Sequence, residues 1–254
     1  NATLGTTTST ITISDNDVTL AAVSDVTYIS TGARVTCASR NGAAYCWGPN
    51  GNGAIGNGTT TPIYFPTPVT GLSSGVTKLV SSGYYYPDSR DSSRTCAIVS
   101  GAAKCWGYQS MGELGNNGGG SSLTPVDVVG LGSNVTDIDT ADIGYGGFTC
   151  AVHNGAAKCW GNNVNGQLGN GTTTNSAVPV TVSGLSSGVV SVAVGENHAC
   201  AALSDGTIKC WGNNAQGQLG DGTTTSSTVP VTVSGISSGA TKVTAGYRHT
   251  CALV

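Results

Sequence analysis

One segment recurs four times along this 254-residue chain: Cys-Ala, a short stretch containing glycine, and then Cys-Trp-Gly. The copies follow one another at intervals of about 50 residues, and a fifth copy opens at Cys251 as Cys-Ala-Leu-Val. Repetition on this scale predicts one supersecondary unit used several times. Function must therefore be sought in the features that differ between copies. The four complete copies begin at Cys37, Cys96, Cys150 and Cys200.

Each repeat contains four short segments rich in Val, Thr and Ile, separated by Gly, Ser and Asn. In the unit near 179–229 they read VPVTV, VVSVAV, HACAAL and TIKCW. Such segments predict strands bounded by turns, and no window shows a sustained helical period of apolar residues. Four short strands per repeat are typical of β-propeller blades. We therefore predict an all-β fold, a β-propeller of four-stranded blades, with about five blades in this chain.

The repeats divide the chain into a short first segment and one propeller domain. Residues 18–254 should form the propeller, with units near 18–66, 67–124, 125–178 and 179–229 and an incomplete unit at 230–254. Residues 1–17 do not fit the repeat and are assigned to the end of a preceding domain or to a linker strand. Because the chain begins without methionine and ends inside a repeat, we expect it to be a piece of a longer mature protein. No apolar run approaches 18 residues, so no membrane span is expected.

The cysteine spacing can be tested against the geometry of a β-hairpin. In CASRNGAAYC, Asn41-Gly42 suits a two-residue type I′ turn. That turn places Cys37 opposite Cys46 as a non-hydrogen-bonded pair, with the Cα atoms about 4.5 Å apart, within the range that a disulfide spans. The other copies give the same register, the fourth with a three-residue loop. We predict four disulfides within blades: Cys37–Cys46, Cys96–Cys105, Cys150–Cys159 and Cys200–Cys210.

Disulfides at this density predict an oxidising compartment, and hence an extracellular or cell-surface location. The alternative is eight buried free thiols in a cytosolic protein. A zinc site is a poorer interpretation, because structural zinc sites favour ligand pairs two to four residues apart.

Composition and motifs argue against catalysis and against nucleic-acid binding. Only 9% of the residues are charged, against a usual value near 25%, and the net charge of −3 leaves no basic stripe for nucleic acid. The acids form no recognisable pair, and the sequence contains no nucleophile elbow and no phosphate loop. Of the histidines, His198 and His249 occupy one repeat position and are interpreted as structural. We predict that the chain is not an enzyme and has no cofactor, unless calcium binds near the first residues.

The motifs that follow two of the tryptophans carry a family resemblance. GNNVNGQLGNG at 161–171 and GNNAQGQLGDG at 212–222 are each followed by a proline-led strand and then by His198-Ala-Cys-Ala or His249-Thr-Cys-Ala-Leu. This order resembles the regulator of chromosome condensation repeat over residues 18–254. The resemblance implies a propeller, typically of seven blades, of which this chain would be part. It implies no single activity, because members include nuclear exchange factors, secreted inhibitors of β-lactamases and modules of bacterial surface proteins. The paired cysteines favour the exported members.

The first residues resemble a different family. The run Ile11, Thr12, Ile13, Asp15 and Asp17 is similar to the last strand of a Calx-beta domain. In that interpretation Asp15 and Asp17 are candidate calcium ligands, since hard cations take carboxylate oxygens. The alternative is a solvated acidic turn that ends a strand.

One connection breaks the repeat and is the candidate partner-binding element. Most units have four or five residues between the glycine that ends a strand and the first cysteine of the hairpin. The second unit has twelve there, YYYPDSRDSSRT at 84–95. Tyrosine offers a large contact area at low entropy cost, and function tends to lie on loops held by a rigid scaffold. We therefore assign partner binding to Tyr84, Tyr85, Tyr86 and Arg90. The alternative is a neutral surface insertion.

Four asparagines head Asn-x-Ser/Thr triplets, and three of them within the repeats are candidate glycosylation sites: Asn57, Asn134 and Asn170. Two of them lie in the same repeat loop, GNGTTT, so those triplets are alternatively a by-product of turn chemistry.

Two classes of function remain. The first is a non-catalytic structural, adhesive or interaction module of a secreted or cell-surface protein, with a protein or cell-surface partner. Such a module could form a homo-oligomer or an extracellular filament, if the alternating segment 6–13 of one copy pairs with the exposed edge strand at 247–254 of the next. The favoured explanation of that open edge is that the missing strand lies in further sequence of the same chain. The alternative is a soluble secreted module that binds a protein, like an inhibitor, through one propeller face.

Overall fold

The computed structural model describes residues 25–84, 92–142 and 146–254. Those residues form four four-stranded antiparallel sheets and one two-stranded sheet, which confirms the predicted all-β fold of four-stranded blades. The first sheet consists of β1 (Val26–Thr31), β2 (Thr36–Arg40), β3 (Ala43–Gly48) and β4 (Ile63–Pro68). The second consists of β5 (Val76–Ser82), β6 (Arg94–Val99), β7 (Ala102–Gly107) and β8 (Ser122–Asp127). The third consists of β9 (Val135–Ala141), β10 (Phe148–His153), β11 (Ala156–Gly161) and β12 (Ser176–Thr181). The fourth consists of β13 (Val189–Val194), β14 (His198–Leu203), β15 (Ile208–Gly212) and β16 (Ser227–Thr232), and the last of β17 (Lys242–Ala245) and β18 (Thr250–Leu253).

The sheets are offset from the repeat units that the sequence suggested. The unit boundaries at 66/67, 124/125, 178/179 and 229/230 each fall inside the fourth strand of a sheet. The proline-containing strand that the units begin with is hydrogen-bonded to the preceding Cys-Trp strand, as β12 is to β11. A repeating sequence can be divided at any point of its period, and only strand pairing shows which four strands share a sheet.

The hairpin between the second and third strands has the predicted register in all four complete sheets. Asn41 and Gly42 both have positive φ, 49° and 75°, as a type I′ turn requires, and Cys37 lies opposite Cys46. The four predicted pairs are disulfide-bonded, with Cα–Cα distances of 4.0–4.1 Å. Each hairpin is therefore fastened at the end remote from its turn.

The hydrophobic core lies between successive sheets, in one layer per junction. Three of the tryptophans are fully buried there, while Trp47 of the first sheet is partly buried. The indole of Trp106 donates from Nε1 to the carbonyl of Ala54 in the preceding sheet at 2.8 Å. Trp160 and Trp211 make the same bond to Glu113 and Gln167. These tryptophans join neighbouring blades, because each follows a cysteine and therefore points to the opposite face of its strand.

The first strands of the sheets lie side by side and line a central channel. Ser81 N–H donates to Ser30 Oγ at 2.8 Å across one junction. Val194 N–H donates to Asp139 Oδ2 at 2.8 Å across another. Side chains from one sheet therefore satisfy backbone groups that would otherwise be unpaired at the inner edge of the next.

Candidate functional site

The two ends of the sheets carry different connections. One end, which we call the turn face, carries the short hairpin turns and the links to the next sheet at 69–75, 128–134, 182–188 and 233–241. The other end, the loop face, carries the connections from first to second strand and the long connections from third to fourth strand at 49–62, 108–121, 162–175 and 213–226. The connections from first to second strand differ most between the copies, and the longest of them is 83–93 in the second sheet. The loop face that carries them is therefore the place to look for a site.

At the centre of the loop face the ends of five inner strands surround a cleft of about 270 Å³, the channel mouth. It is lined by residues 31–33, 81–83, 140–142, 194–196 and 245–247. On one side Glu196 forms an ion pair with Arg248 at 2.8 Å, and the Arg248 guanidinium lies 5.1 Å from the centre of the Tyr247 ring. A hydrogen bond to Glu196 raises the pKa of the Tyr247 phenol. The mouth therefore combines backbone, hydroxyl and charged groups, as sites that bind polar protein surfaces do.

The irregular connection of the second sheet begins at this mouth. Ser92 Oγ accepts from Tyr84 N–H at 2.9 Å and donates to the Tyr84 carbonyl at 3.1 Å, and Ser92 N–H donates to the same carbonyl. These bonds fasten the two ends of the insertion to each other. Tyr84 is 40% exposed, so the predicted partner-binding residue lies on the surface. Tyr85, Tyr86 and Arg90 lie outside the described residues.

Arg94 belongs to the framework and not to the exposed loop in which the sequence placed it. It is the first residue of β6 and its side chain is fully buried. Its guanidinium donates to Thr140 Oγ1 and to Asp142 Oδ2, both at 3.0 Å, and to the Ala141 carbonyl at 2.5 Å. Glu113 is 3.8 Å away. Arg94 thus links the base of the insertion to the inner strand of the third sheet.

The fourth sheet has His198 at the position of Arg94. This imidazole is fully buried; its Nε2 is 3.0 Å from Thr250 Oγ1, and its Nδ1 has no hydrogen-bond partner among the described residues. Burial lowers the pKa of His198 to about 4, so the ring is neutral at pH 7. A Cβ atom at Gly195 would lie 2.2 Å from the ring, which is why glycine occupies the adjoining position. The structural role predicted for His198 fits this packing, while His249 is exposed.

The channel below the mouth is acidic on the third sheet. Asp137 forms an ion pair with Lys78 of the second sheet and accepts from Val192 N–H of the fourth at 2.9 Å. Burial raises the pKa of the neighbouring Asp139 to about 6, although backbone N–H donors oppose the shift. These carboxylates bridge three sheets, a role that sequence reasoning missed because it searched for catalytic acid pairs.

A second feature missed from the sequence is the amide that holds each long loop. In the third sheet Asn163 Oδ1 accepts from Leu168 N–H at 2.9 Å, and Nδ2 donates to the carbonyls of Thr172 and Thr174, both at 3.0 Å. The same pattern recurs in every complete sheet. The sequence pattern that could have predicted this role is an amide residue three positions after each tryptophan: Asn50, Gln109, Asn163 and Asn214.

Two of the glycosylation candidates lie in these loops and shape their turns. Asn170 Oδ1 accepts from Thr172 N–H at 3.2 Å and from Thr172 Oγ1 at 2.8 Å, and Asn57 makes the equivalent bonds to Thr59. Asp221 fills this position in the fourth sheet and bonds Thr223 in the same way. The third candidate, Asn134, is exposed on the turn face.

The candidate calcium ligands Asp15 and Asp17 lie outside the described residues. Within residues 25–84, 92–142 and 146–254 no group of three His, Cys, Asp or Glu side chains is placed to hold a metal ion. In the same ranges no helix is long and apolar enough to cross a membrane.

Known proteins of similar sequence share the repeat. The chain is 30% identical over 234 residues to the ultraviolet-B receptor UVR8 of Arabidopsis thaliana, covering 89% of this chain and 50% of that protein. It is 28% identical over 225 residues to the human E3 ubiquitin-protein ligase HERC2, covering 87% of this chain and 4% of HERC2. The chain therefore spans at most half the length of these relatives.

Solved structures share the fold. Human WBSCR16 superposes with a TM-score of 0.74 at 22% identity, over 95% of this chain and 59% of that one. Prp20p of Saccharomyces cerevisiae gives a TM-score of 0.72 at 22% identity, over 90% of this chain and 55% of that one. Both likenesses support the blade architecture described above.

The family model of the regulator of chromosome condensation (RCC1) repeat matches residues 41–86, 154–202 and 205–253, and a second model of the same repeat matches 189–218. Together these ranges cover more than half of the chain. Between the first two ranges they leave 87–153 unmatched, a stretch that contains Arg94 and the part of the insertion after Tyr86. The chain belongs to the RCC1 repeat family.

Proposed function

We propose that this chain is a non-catalytic interaction module of an exported protein, and that it binds a protein or cell-surface partner through the loop face around the channel mouth. The observation that carries the proposal is the insertion of the second sheet. Hydrogen bonds between Tyr84 and Ser92 hold its two ends together, and the buried Arg94 that follows it is bonded to the third sheet. A fastened base on a rigid frame limits the entropy that a loop loses when it binds. The tyrosines in the insertion supply contact area of the kind that binding loops use.

The relatives support protein binding as the general activity of such propellers. RCC1-type Prp20p of yeast is described in complex with Kap60 and by its binding to Gsp1p and histones. HERC2 is named as a ligase, but the shared region is 4% of it, so its chemistry need not lie in that region. We propose the same kind of activity here, protein recognition without catalysis.

Export is proposed from the disulfides. Four hairpins carry a bonded cysteine pair, and bonds of this number are stable in oxidising compartments and rare in the cytosol. Non-reducing peptide mapping of the protein from its native host tests this directly. Alkylation of these eight cysteines without prior reduction would overturn the extracellular or cell-surface assignment.

Within the exported class we propose a structural or adhesive module, with a soluble inhibitor-like module as the second candidate. Assembly into a filament through residues 1–17 is part of the first proposal. Removal of those residues should abolish assembly, while unchanged assembly in size-exclusion chromatography would remove strand exchange from it.

The binding proposal is tested with the triple substitution Tyr84→Ser, Tyr85→Ser, Tyr86→Ser. A matched control removes two exposed aromatic side chains elsewhere, Tyr64→Ser and Phe65→Ser on β4, which are 76% and 62% exposed. The triple variant should lose binding to the surface of the producing cells with little change in melting temperature, and the control should bind as the parent does. Equal binding by both variants would remove the insertion from the site.

A further inference from the structure

The inner strands of the second and third sheets meet at a lysine–aspartate pair. Lys78 on β5 donates from Nζ to Oδ1 of Asp137 on β9, and the two residues are 59 positions apart in the sequence. Their side chains are only 19% and 13% exposed. An amine and a carboxyl group from two different sheets are therefore in contact where water has little access.

The carboxyl group of Asp137 is held in a fixed orientation. Its Oδ2 accepts from the Val192 N–H at 2.9 Å, and its Oδ1 accepts from the Ile138 N–H at 3.1 Å. A backbone donor placed on a carboxyl oxygen stabilises the negative charge that develops there when a nucleophile adds to the carbon. Asp137 thus presents its carboxyl carbon to the amine, with Oδ2 supported by the fourth sheet and Oδ1 on the side of Lys78.

A second carboxyl group lies beside this pair. Asp139 is two residues further along β9, so its side chain is on the same face of the strand as that of Asp137. Its two oxygens accept from Thr140 N–H at 3.0 Å and from Val194 N–H at 2.8 Å. It interacts electrostatically with both Lys78 and Asp137, and burial raises its pKa to about 6. A carboxyl group with such a pKa both accepts and donates protons near neutral pH, as proton transfer in a reaction requires.

The amine of Lys78 rests as an ammonium ion. Burial opposes its charge, but Asp137, with further contributions from Tyr28 and Asp139, raises the pKa of Lys78 above its ordinary value. Transfer of one proton from the ammonium to the carboxylate gives a neutral amine and a neutral carboxyl group and removes two charges from a site with little water. The neutral amine is the form of lysine that acts as a nucleophile.

We propose that Lys78 and Asp137 react with each other to form an amide bond, an isopeptide cross-link that joins β5 to β9, with Asp139 as the proton carrier. After the first proton has moved to Asp137, Nζ adds to Cγ and the negative charge on Oδ2 is stabilised by the Val192 N–H. Asp139 takes a proton from Nζ and delivers it to Oδ1, the Cγ–Oδ1 bond breaks, and Oδ1 leaves as water. The products are one amide and one water molecule, so the reaction needs no oxidant and no cofactor.

Two consequences distinguish this reaction from the binding function proposed above. It takes place once in each molecule and needs no partner, so neither proposal depends on the other. It also fixes the second sheet to the third at the channel wall, where the blades otherwise meet through non-covalent contacts. Holding the two groups in contact is what favours the reaction, because orientation within one molecule replaces a bimolecular encounter.

The second sheet contains a matched pair that should not react. Lys104 on β7 lies opposite Asp127 on β8, and Nζ is 2.5 Å from Oδ1. These side chains are 28% and 79% exposed, so water solvates the charged groups and the ion pair is not driven to neutralise. The chemical groups are the same as in the channel, and the difference is access to water.

The experiment follows the mass of the 254-residue protein as it folds. Protein isolated in denaturant is refolded under conditions that form the four disulfides, sampled over time, and then reduced and alkylated for intact mass. The mass should fall by one water molecule, and digestion should yield a peptide in which residues 78 and 137 are joined. Full mass in refolded protein that has its four disulfides would overturn the proposal, and so would a joined pair at 104 and 127 in place of 78 and 137.

Three variants test the roles of the individual groups. Lys78→Arg keeps the cation but removes the nucleophilic amine, and it should retain full mass. Lys104→Arg is the control and should lose water as the parent does. Asp139→Asn keeps the reacting pair and removes the proton carrier, and it should form the bond about a hundredfold more slowly or worse. Loss of water in Lys78→Arg would place the reaction at another residue, and a parental rate in Asp139→Asn would contradict the proposed proton transfer.

Discussion

The second and fourth sheets have the same frame and different residues where that frame meets the channel mouth. Both have a disulfide across the central hairpin, a fully buried tryptophan and an amide that holds the long loop. They differ at the first residue of the second strand, which is Arg94 in one and His198 in the other, and in the length of the connection before it. The repeat therefore holds the blades together, while variation is concentrated at the mouth.

The two residues differ in the charge that they bury. Arg94 is buried as a cation beside the carboxylates of Asp142 and Glu113, whereas His198 is buried neutral with one bond to Thr250. A buried charge must be compensated by its partners. The packing of the second sheet against the third therefore depends on the contacts that Arg94 makes with the third sheet.

The largest expected effect is from breaking the Arg94 cluster. Arg94→Met should cost about 3–5 kcal/mol of unfolding free energy, because it leaves buried carboxylates without their cation. The matched change His198→Phe should cost less than about 1 kcal/mol, since Phe148 fills this position in the third sheet and the ring has an unpaired nitrogen to lose. Chemical denaturation of both variants measures the difference. Similar costs would show that the two sheets do not differ in the way described.

The disulfides should show no such difference. Replacing Cys96 and Cys105, or Cys200 and Cys210, by alanine should each cost about 3 kcal/mol, because loops of nearly equal length lose similar chain entropy. The sequence separations are 9 and 10 residues. Denaturation of the two double variants under non-reducing conditions checks the equality. A difference above about 1 kcal/mol would mean that the residues around the two disulfides contribute differently to the stability of the second and fourth sheets.

The stability of the fold should depend on pH through two buried residues, Asp139 and His198, whose effects have opposite signs. The pKa of Asp139 is raised to about 6 in the folded state by burial, so its stabilising contribution is present below pH 4 and is lost as pH rises to about 6. The pKa of His198 is lowered to about 4, so the unfolded state takes up the proton first and stability falls as pH falls from about 6.5 to 4.

Replacing either Asp139 or His198 should reveal how the remaining residue makes the unfolding free energy depend on pH. In His198→Phe the unfolding free energy should fall as pH rises from 4 to 6, and in Asp139→Asn it should fall as pH drops from 6.5 to 4, each by up to about 3 kcal/mol. The parent should vary less than either variant, and the double variant should resemble the parent. Parallel profiles for the two single variants would contradict the assignment.

The sequence predicted the features that depend on local geometry. Asn41-Gly42 fixes the hairpin register and hence the pairing of Cys37 with Cys46, and both follow from a spacing that can be read along the chain. The position of Arg94 could not be read in this way. Its burial depends on Thr140 and Asp142, which are more than 40 residues away, and a charged residue beside tyrosines and aspartates has the composition of an exposed loop. The division of strands among sheets was also missed, because it depends on which neighbour the proline-containing strand pairs with.

The smallest expected effect concerns the loops that both sheets share. Asn170→Asp should change the unfolding free energy by less than about 0.5 kcal/mol, because Asp221 accepts the same bonds from Thr223 in the fourth sheet. Asn170→Ala should cost about 1 kcal/mol, since the Thr172 N–H and hydroxyl lose their acceptor. Thermal unfolding of the two variants measures the difference at one site. If the two substitutions cost the same, the side chain is retained for a reason other than turn geometry, and glycan attachment at Asn170 becomes the explanation to test by intact mass.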